Sequence, residues 1–284
     1  MQSQQFQLHA EIEHDHWWFV ARRQIMRRLV REVLPPGENH RIVDVGCGTG
    51  ANIAALAGEY RCLGIDTSVE GIELAQGRFP DVEFRCGLAP DDVQDIMSEV
   101  RLVTMMDVLE HVEDDFALLG NMLAATEPGT YFLITVPADE SLWSPHDEAF
   151  GHFRRYDAER LYQLWVGLPV STRMISYYNS RLYPVVKAIR HRNARRDETR
   201  GAVGTDFSRP IAPLNAALRH IFAGEGRVLS DLAAGRRSTG YRRGVSLIAL
   251  VRREPGPIRP RHKPVELESL DHDPHVQQLA EAVV

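Results

Sequence analysis

The sequence predicts an α/β fold in which helices cover an open, mainly parallel sheet. Between residues 41 and 136, short apolar runs alternate with segments of helical periodicity. The run at residues 102–106 is almost continuously apolar, which is typical of a strand buried on both faces of a parallel sheet. Strands that alternate with helices pair in parallel through right-handed crossovers, so the order of the elements indicates the fold class.

The same patterns assign the individual elements in order. Apolar positions fall at helical spacing up to residue 33, and Pro35-Pro36 ends that first helix. Further helices are predicted at residues 50–58, 68–77, 114–126 and 158–166. Strands are predicted at residues 41–45, 61–65, 82–85, 102–106, 130–136, 171–178 and 245–251.

About 65 residues separate the last two predicted strands, far more than a normal connection. They contain helical pieces at residues 183–192 and 214–222, and they predict an inserted helical cap. The predicted parts are an N-terminal helical lid (1–36), a core (37–178), the basic cap insertion (179–243), the last core strand (244–253) and a disordered tail (254–284).

The composition excludes several classes of protein. With 284 residues, 44% hydrophobic and 25% charged, the chain is typical of a globular protein and unlike a disordered or collagen-like one. A net charge of −6 gives no reason to expect a nucleic acid partner. Cys47, Cys62 and Cys86 predict reduced thiols, the N-terminus does not resemble a secretory signal, and no apolar run is long enough to span a membrane. We therefore expect a cytoplasmic protein.

A glycine-rich loop is the sharpest local signal. Gly46, Gly48 and Gly50 follow Asp44 between the first strand and the first core helix, where an open α/β sheet binds its ligand. Asp66 ends the second strand, where a carboxylate can accept both ribose hydroxyls of an adenosine. Alternatively, Asp66 or Ser68 caps the following helix.

These residues, with the run Asp107-Val108-Leu109-Glu110-His111, resemble class I S-adenosylmethionine-dependent methyltransferases over about residues 40–180. The resemblance implies a Rossmann-like seven-stranded sheet whose last strand is antiparallel, and S-adenosylmethionine as the cofactor. The implied cofactor-binding residues are Asp44, Gly46, Cys47, Gly48, Gly50, Asp66, Thr67, Gly87, Leu88, Met106, Asp107 and Val108. Such enzymes often have Gly-Asp where this chain has Gly87-Leu88, so adenine recognition would pass to backbone groups or to Asp91 or Asp92.

The aromatic start at residues 14–23 allows two interpretations. Trp17 or Trp18 clamps the start of a helix onto the core, or this segment forms a lid over the cofactor. In the second case Trp18 covers the cofactor, and Arg22 or Arg23 pairs with its carboxylate.

The segment at residues 146–156 follows the fifth strand beside the expected crevice. His146 and His152, with His111, are candidate general bases, although each can equally be a hydrogen-bonded structural residue. Candidate substrate residues are Arg154, Arg155, Tyr156, Tyr178 and Asn179, where the two arginines can alternatively be a solvated pair at a helix start. With the aromatic start and residues 244–247, this segment resembles a bacterial methyltransferase subgroup acting on small molecules, glycans or peptides. No metal site is predicted, because the cysteines are isolated and lack nearby histidines at ligand spacing.

The charge distribution indicates the acceptor class. The cap insertion has 14 Lys+Arg against 5 Asp+Glu, and the chain has 31 Arg but only 2 Lys. Codon bias accounts for the arginine total, but the clustering predicts an acidic small-molecule or peptide acceptor, methylated on oxygen rather than nitrogen. One alternative is N-methylation of an amine or amino sugar, and another is a non-catalytic protein that binds the cofactor and a partner. A third is peripheral membrane contact by the helix at 183–196, which carries Val185, Val186 and Ile189. The oligomeric state stays open.

Overall fold

Seven strands form one sheet in the computed structural model, which describes residues 3–37, 39–194 and 209–264. The strand order is β3-β2-β1-β4-β5-β7-β6. The strands are β1 (Arg41–Val45), β2 (Arg61–Asp66), β3 (Glu83–Cys86), β4 (Val100–Met106), β5 (Tyr131–Pro137), β6 (Val170–Tyr178) and β7 (Ser246–Arg253). The last strand, β7, pairs antiparallel with both β5 and β6, while the pairs among β1 to β5 are parallel. The predicted fold class and antiparallel last strand are confirmed.

Helices lie on both faces and along the edge of the sheet. They are α1 (Ser3–Ile12), α2 (Trp17–Val33), α3 (Ala51–Ala54), α4 (Val69–Arg78), α5 (Asp115–Ala125), α6 (Pro145–Phe150), α7 (Ala158–Tyr162), α8 (Tyr183–Ala194), α9 (Ala212–Ala223) and α10 (Gly226–Ala233). Three short 3₁₀ helices cover Asp91–Glu99, Leu109–His111 and Glu140–Leu142.

Two apolar layers hold the sheet, because successive side chains of a strand point to opposite faces. Val43 and Val103 face the layer that contains α5 and α7. Their neighbours Ile42 and Leu102 face the layer that contains α2 and α10. Because both faces of these strands are buried, nearly all of their residues need to be apolar, as the run at residues 102–106 indicated.

The cap insertion and the N-terminal segment are partly core. Leu229 of α10 and Leu29 of α2 are fully buried in the layer against the sheet. Phe222 of α9 is equally buried and lies 5.6 Å, centroid to centroid, from the ring of Tyr178. These helices therefore differ from the predicted cap: their apolar faces complete one side of the sheet.

The segment after β7 lies on the core as far as residue 264, in contrast to the predicted disordered tail. Arg261 donates hydrogen bonds to the carbonyls of Val166 at 2.8 Å and Gln163 at 2.7 Å. Glu254 donates its backbone N–H to the carbonyl of Pro169 at 2.8 Å. These hydrogen bonds hold the segment at Glu254 and Arg261, whereas residues 265–284 lie outside the described residues. Within the described ranges, no helix is long and apolar enough to cross a membrane.

Helix α8 packs onto the protein. Val186 lies against the apolar layer of α2 and α10, and Arg190 donates to the carbonyl of Leu142 at 2.8 Å. Val185 is exposed. This packing agrees with a helix that covers the sheet edge; Arg196, at the end of the predicted membrane-contact helix, lies outside the described residues.

Candidate functional site

Strained backbone marks the edge of the sheet where the parallel strands end. Three described residues other than glycine have positive φ: Asp107 (60°), Asp139 (61°) and Asn179 (54°). They follow β4, β5 and β6, whose carboxyl ends meet at this edge. Such strain concentrates at functional sites, and Asp and Asn tolerate it best. Sequence reasoning singled out Asp107 and Asn179 but missed Asp139.

The glycine loop combines close packing with one open face. A Cβ on Gly46 would lie 2.6 Å from the Val108 side chain, and one on Gly50 would lie 2.7 Å from Phe84. A Cβ on Gly48, whose φ is +54°, would meet no described atom within 4 Å. Gly46 and Gly50 therefore let the loop pack, while Gly48 leaves its backbone accessible to a ligand.

Cys47 contributes its backbone and not its thiol. Its side chain is buried beneath the loop, where a Cβ on Gly64 would lie 2.8 Å from Sγ. Burial raises the pKa of the Cys47 thiol far above its ordinary value. The Cys47 N–H donates to the carbonyl of Ile65 at 3.1 Å, which ties the loop to the end of β2.

Asp66 holds the loop and starts helix α4. Its Oδ2 accepts the N–H of Gly48 at 2.8 Å, and its Oδ1 accepts the N–H of Ser68 at 2.9 Å. Ser68 is the N-cap, accepting the N–H of Gly71. Each carboxylate oxygen keeps a further lone pair, so these bonds are compatible with ribose binding. Thr67 is exposed beside it.

Asp44 places a buried carboxyl group next to the loop. Its side chain is 1% exposed, and Oδ1 accepts the Thr104 hydroxyl at 2.5 Å. Oδ2 is buried without a hydrogen-bond partner among the described residues. Burial raises the pKa of Asp44 to about 7. An orphaned carboxylate oxygen of this kind fits a cationic ligand, and S-adenosylmethionine carries an ammonium and a sulfonium.

Arg22 is paired inside the chain. Its guanidinium forms an ion pair with Asp107, donates to the carbonyl of Met106 at 3.1 Å, and lies 4.8 Å from the ring centroid of Trp18. Thr135 donates to Asp107 Oδ1 at 2.9 Å. In this structure Asp107 is the partner of Arg22, and the Arg22 Nε has no hydrogen-bond partner among the described residues. That Arg22 also pairs with the cofactor carboxylate stays a prediction.

The two tryptophans of the aromatic start have different partners. Trp17 donates its backbone N–H to Asn215 Oδ1 at 2.8 Å, and its ring lies 6.0 Å from that of Phe222. Trp17 thus clamps α2 to α9, while Trp18 packs against Arg22 beside the end of β4.

Helix α1 crosses the carboxyl edge as a lid and was not predicted as a separate helix. On one side, Glu13, directly after α1, accepts the Thr49 hydroxyl at 2.7 Å and pairs with Arg78. On the other side, Gln5 donates to the carbonyl of Ala149 at 3.0 Å, in helix α6. Helix α1 therefore bridges the glycine loop and the segment after β5.

The loop after β3 has no acidic side chain at position 88, where the enzymes that the sequence resembles often have the Asp that contacts adenine. Leu88 is 57% exposed, and its N–H donates to Asp92 Oδ2 at 2.7 Å. A Cβ on Gly87 would lie 2.5 Å from the same oxygen. Asp92 is therefore engaged by the backbone of its own loop, and Leu88 offers an apolar surface.

The three candidate histidines lie in one cluster. The ring centroids of His111 and His152 are 4.7 Å apart, and those of His146 and His152 are 6.4 Å apart. Burial and the neighbouring His152 lower the pKa of His111 to about 4. Burial and the charge of Arg190 lower the pKa of His146 well below its ordinary value. Both rings are therefore neutral near pH 7 and retain a lone pair.

Asp147 orients His152. Its Oδ1 lies 2.9 Å from Nδ1 of His152 and 2.7 Å from a guanidinium nitrogen of Arg155. Burial alone would raise the pKa of Asp147, but the hydrogen bond from His152 and the charge of Arg155 hold it well below its usual range. In a neutral imidazole this carboxylate favours the tautomer with the proton on Nδ1, which makes Nε2 the acceptor nitrogen of His152.

Glu110 is a buried acid that sequence reasoning missed. It is 0% exposed, and neither oxygen has a hydrogen-bond partner among the residues that the structure describes. Burial and the nearby Asp107 raise the pKa of Glu110 well above its ordinary value. One of its oxygens and one ring nitrogen each of His111 and His152 lie within 4.8 Å of one another.

A pocket of about 660 Å³ opens on the same edge, at the ends of β5 and β6. Arg242 and Arg243, at the end of the cap insertion, have no ion pair or hydrogen bond with described residues. By contrast, Asp139 accepts Lys187 Nζ at 3.0 Å and the Tyr183 hydroxyl at 2.5 Å. The lining residues are Asp139, Glu140, Arg155, Tyr156, Asp157, Arg160, Tyr177, Tyr183, Lys187, Arg242, Arg243 and Gly244.

The predicted substrate residues separate into lining and supporting groups. Tyr156 and Arg155 line the pocket, but Arg155 is already paired with Asp147. Arg154 does not line it and donates to the carbonyls of Val112 at 2.8 Å and Glu113 at 2.7 Å. Tyr178 and Asn179 are buried, and the ring of Tyr178 packs against Phe222 of α9, so neither lines this pocket. Their roles and that of Arg154 in substrate binding stay predictions.

Comparison with known proteins is consistent with this geometry. Residues 18–183, more than half of the chain, match the family model described as a methyltransferase domain. A trans-aconitate 2-methyltransferase of Deinococcus radiodurans is 27% identical over 135 residues, 46% of this chain and 48% of the relative. A ubiquinone biosynthesis O-methyltransferase of Hydrogenovibrio crunogenus is 33% identical over 97 residues, 32% of this chain and 40% of the relative. The chain thus spans about half or less of these relatives.

Two solved structures share the fold at low identity. The plantazolicin methyltransferase BamL, in complex with a triazolic desmethylPZN analog and SAH, has a TM-score of 0.54 and 14% identity, with 89% of this chain and 91% of that chain covered. A putative methyltransferase in complex with the Haloferax volcanii Trm112 methyltransferase activator has a TM-score of 0.52 and 17% identity, with 87% and 92% covered.

Proposed function

Because this chain belongs to the methyltransferase-domain family, we propose that it transfers a methyl group from S-adenosylmethionine to an oxygen of an anionic small-molecule or peptide acceptor. The observation that carries the proposal is the position of two unpaired arginines, Arg242 and Arg243, in a pocket on the same sheet edge as the glycine loop.

The donor half of the site is formed by the ends of β1, β2 and β4. When bound, S-adenosylmethionine supplies a methyl group that its sulfonium already activates for in-line displacement, so positioning carries much of the catalysis. The open backbone of Gly48 and the carboxylate of Asp66 would hold the adenosyl and methionyl parts. The orphaned oxygen of Asp44 would offset the positive charge of the bound donor.

The acceptor half is the basic pocket. Arg155 and Arg160 line it but are neutralised by Asp147 and Asp115, at 2.7 Å and 2.6 Å. Arg242 and Arg243 are exposed and keep their donors free of described partners. A guanidinium binds carboxylate or phosphate with two parallel hydrogen bonds, so these two arginines favour an anion over an amine. One relative is named as a methyltransferase of trans-aconitate, which is an acid anion.

The histidine cluster provides a proton acceptor for a hydroxyl acceptor. Asp147 holds Nδ1 of His152 at 2.9 Å, so Nε2 would take the hydroxyl proton as the oxygen bonds to the methyl carbon. Arg155 connects this dyad to the pocket, because it both lines the pocket and pairs with Asp147. A carboxylate acceptor would need no base.

Charge reversal in the pocket tests the proposal. Turnover of paired anionic and neutral acceptors is measured with radiolabelled donor for the wild type and for the double variant Arg242→Glu/Arg243→Glu. We expect kcat/KM for the anionic acceptor to fall about 10- to 100-fold, since a hydrogen bond to a charged group contributes roughly 1.5–3 kcal/mol. Neutral acceptors should be little affected.

Arg237→Glu is the matched control, because Arg237 is an exposed arginine of the same insertion that does not line the pocket. It should leave turnover unchanged. Equal turnover of neutral and anionic acceptors by the wild type, with no effect of the double variant, contradicts an anionic acceptor.

A further inference from the structure

We propose that Glu110, His111 and His152 form a binding site for one divalent transition-metal cation at the carboxyl edge of the sheet. The site joins the loop after β4, which carries Glu110 and His111, to the segment after α6, which carries His152. The backbone holds the two segments together, because Phe153 donates its N–H to the carbonyl of Glu110 at 2.7 Å.

The distances suit a shared ion. One oxygen of Glu110 and one nitrogen each of His111 and His152 all lie within 4.8 Å of one another. Tetrahedral ligands at about 2.1 Å from a zinc-like ion lie about 3.4 Å apart, so a pair of these atoms at the 4.8 Å limit needs to approach by about 1.4 Å. We therefore expect the three side chains to adjust when the ion binds.

Glu110 is the observation that points to a ligand. A carboxylate that is 0% exposed and has no hydrogen-bond partner in the described part of the chain is costly, because burial removes its hydration without replacing it. Arg22 does not compensate it directly, because its guanidinium is bound by Asp107 and the carbonyl of Met106. A bound cation would compensate the charge of the Glu110 carboxylate, which would then act as an ionised metal ligand.

His152 is prepared for metal binding by the groups behind it. Nδ1 of His152 is bonded to Asp147 at 2.9 Å, which leaves Nε2 available, and Arg155 in turn holds Asp147. Metal-binding histidines commonly donate their other nitrogen to a carboxylate or a backbone carbonyl in this way.

Two imidazoles and one carboxylate favour Zn²⁺, Mn²⁺ or Fe²⁺ over Mg²⁺, which prefers oxygen ligands. Three protein ligands leave coordination positions open for an oxygen of the acceptor. This consequence rests on the proposed function: the cation would lower the pKa of an acceptor hydroxyl and orient it. Metal binding and proton transfer exclude each other at Nε2 of His152, so the cation would replace that histidine as the activating group.

Cobalt binding tests the site without reference to activity. The full chain is treated with chelator, dialysed and titrated with Co²⁺, whose visible absorption reports nitrogen and oxygen ligands, and the stoichiometry is checked by calorimetry with Zn²⁺. We expect one ion per chain, at least 10-fold weaker binding in Glu110→Gln and His152→Ala, and 10- to 100-fold weaker binding in the positioning variant Asp147→Asn. His14→Ala, which changes an exposed histidine outside the cluster, should bind as the wild type does.

S-adenosylhomocysteine binding by each variant verifies that it is folded. Absence of bound Co²⁺, or equal affinity in the wild type, Glu110→Gln and His152→Ala, overturns the metal site. Methyl transfer by the metal-free enzyme would persist in that case, so failure of the site is distinguishable from failure of the proposed function.

Discussion

Replacement of Arg22 by alanine should weaken both the fold and the cofactor site. The change removes the ion pair with Asp107, the hydrogen bond to the carbonyl of Met106 and the packing against Trp18. It leaves Asp107 as a partly buried carboxylate at the end of β4, held only by Thr135 among the described hydrogen bonds.

The cost follows from the burial of the two partners. Removing one partner of a buried ion pair costs about 3–5 kcal/mol, because the other charge is left uncompensated. The side chain of Arg22 is 7% exposed and that of Asp107 is 25% exposed, so water partly rescues the remaining carboxylate. We therefore expect a loss at or below the lower end of that range, about 2–3 kcal/mol, which is a large part of an ordinary domain's stability.

Urea unfolding of Arg22→Ala, Arg22→Met and the double variant Arg22→Met/Asp107→Asn measures this cost. Arg22→Met keeps much of the side-chain volume, and the double variant removes both charges. The double variant should recover at least about 1 kcal/mol relative to Arg22→Met, since an unpaired charge is worse than none. A loss below about 0.5 kcal/mol in the single variants, or no recovery in the double variant, would refute the pairing as a source of stability.

Three further predictions concern the loop, pH and the core. Gly48→Ala should lower the free energy of unfolding by about 1–2 kcal/mol in urea, because the φ of Gly48 is +54°, and it should weaken S-adenosylhomocysteine binding. Gly58→Ala is the control: Gly58 has no positive φ and a Cβ there meets open space, so the change should affect neither stability nor binding. Burial and the nearby Arg22 lower the pKa of His9 to about 4, so the free energy of unfolding should decrease as the pH falls from 6.5 to 4. His9→Gln should reduce this loss by up to about 3 kcal/mol. An identical pH profile of stability in the wild type and the variant would contradict the lowered pKa. Trp165→Ala should cost about 3–5 kcal/mol, since Trp165 is fully buried and donates to Thr172 at 2.9 Å, and a loss under about 1 kcal/mol would be inconsistent with that burial.

The sheet was accessible from sequence because its signals are local. Apolar runs and glycines determine where strands end, and the predicted boundaries of β1 and β6 lie within one residue of those observed. Helix α10 was missed because its short pattern follows a glycine within a polar insertion. Helix α1 was missed because its first turn has no acidic residue and most of its surface is polar.

Only those candidate site residues that lie near one another in the sequence could be grouped by their spacing. The glycine loop and Asp66 are separated by one strand and one helix, so their spacing is informative. His152 and Glu110 lie 42 positions apart and meet only because the segments after β4 and β5 end at the same sheet edge. The direction of the Arg154 side chain depends on the backbone carbonyls of residues 112–113, which no sequence pattern specifies.

Calorimetric titration of S-adenosylhomocysteine into the full chain and into Asp66→Ala tests the central claim most directly. The account predicts one binding site per chain, with affinity at least 10-fold weaker in the variant, because Asp66 holds both the N–H of Gly48 and the start of α4. No binding by the wild type, or equal binding by the two proteins, would contradict a methyl donor bound at the glycine loop.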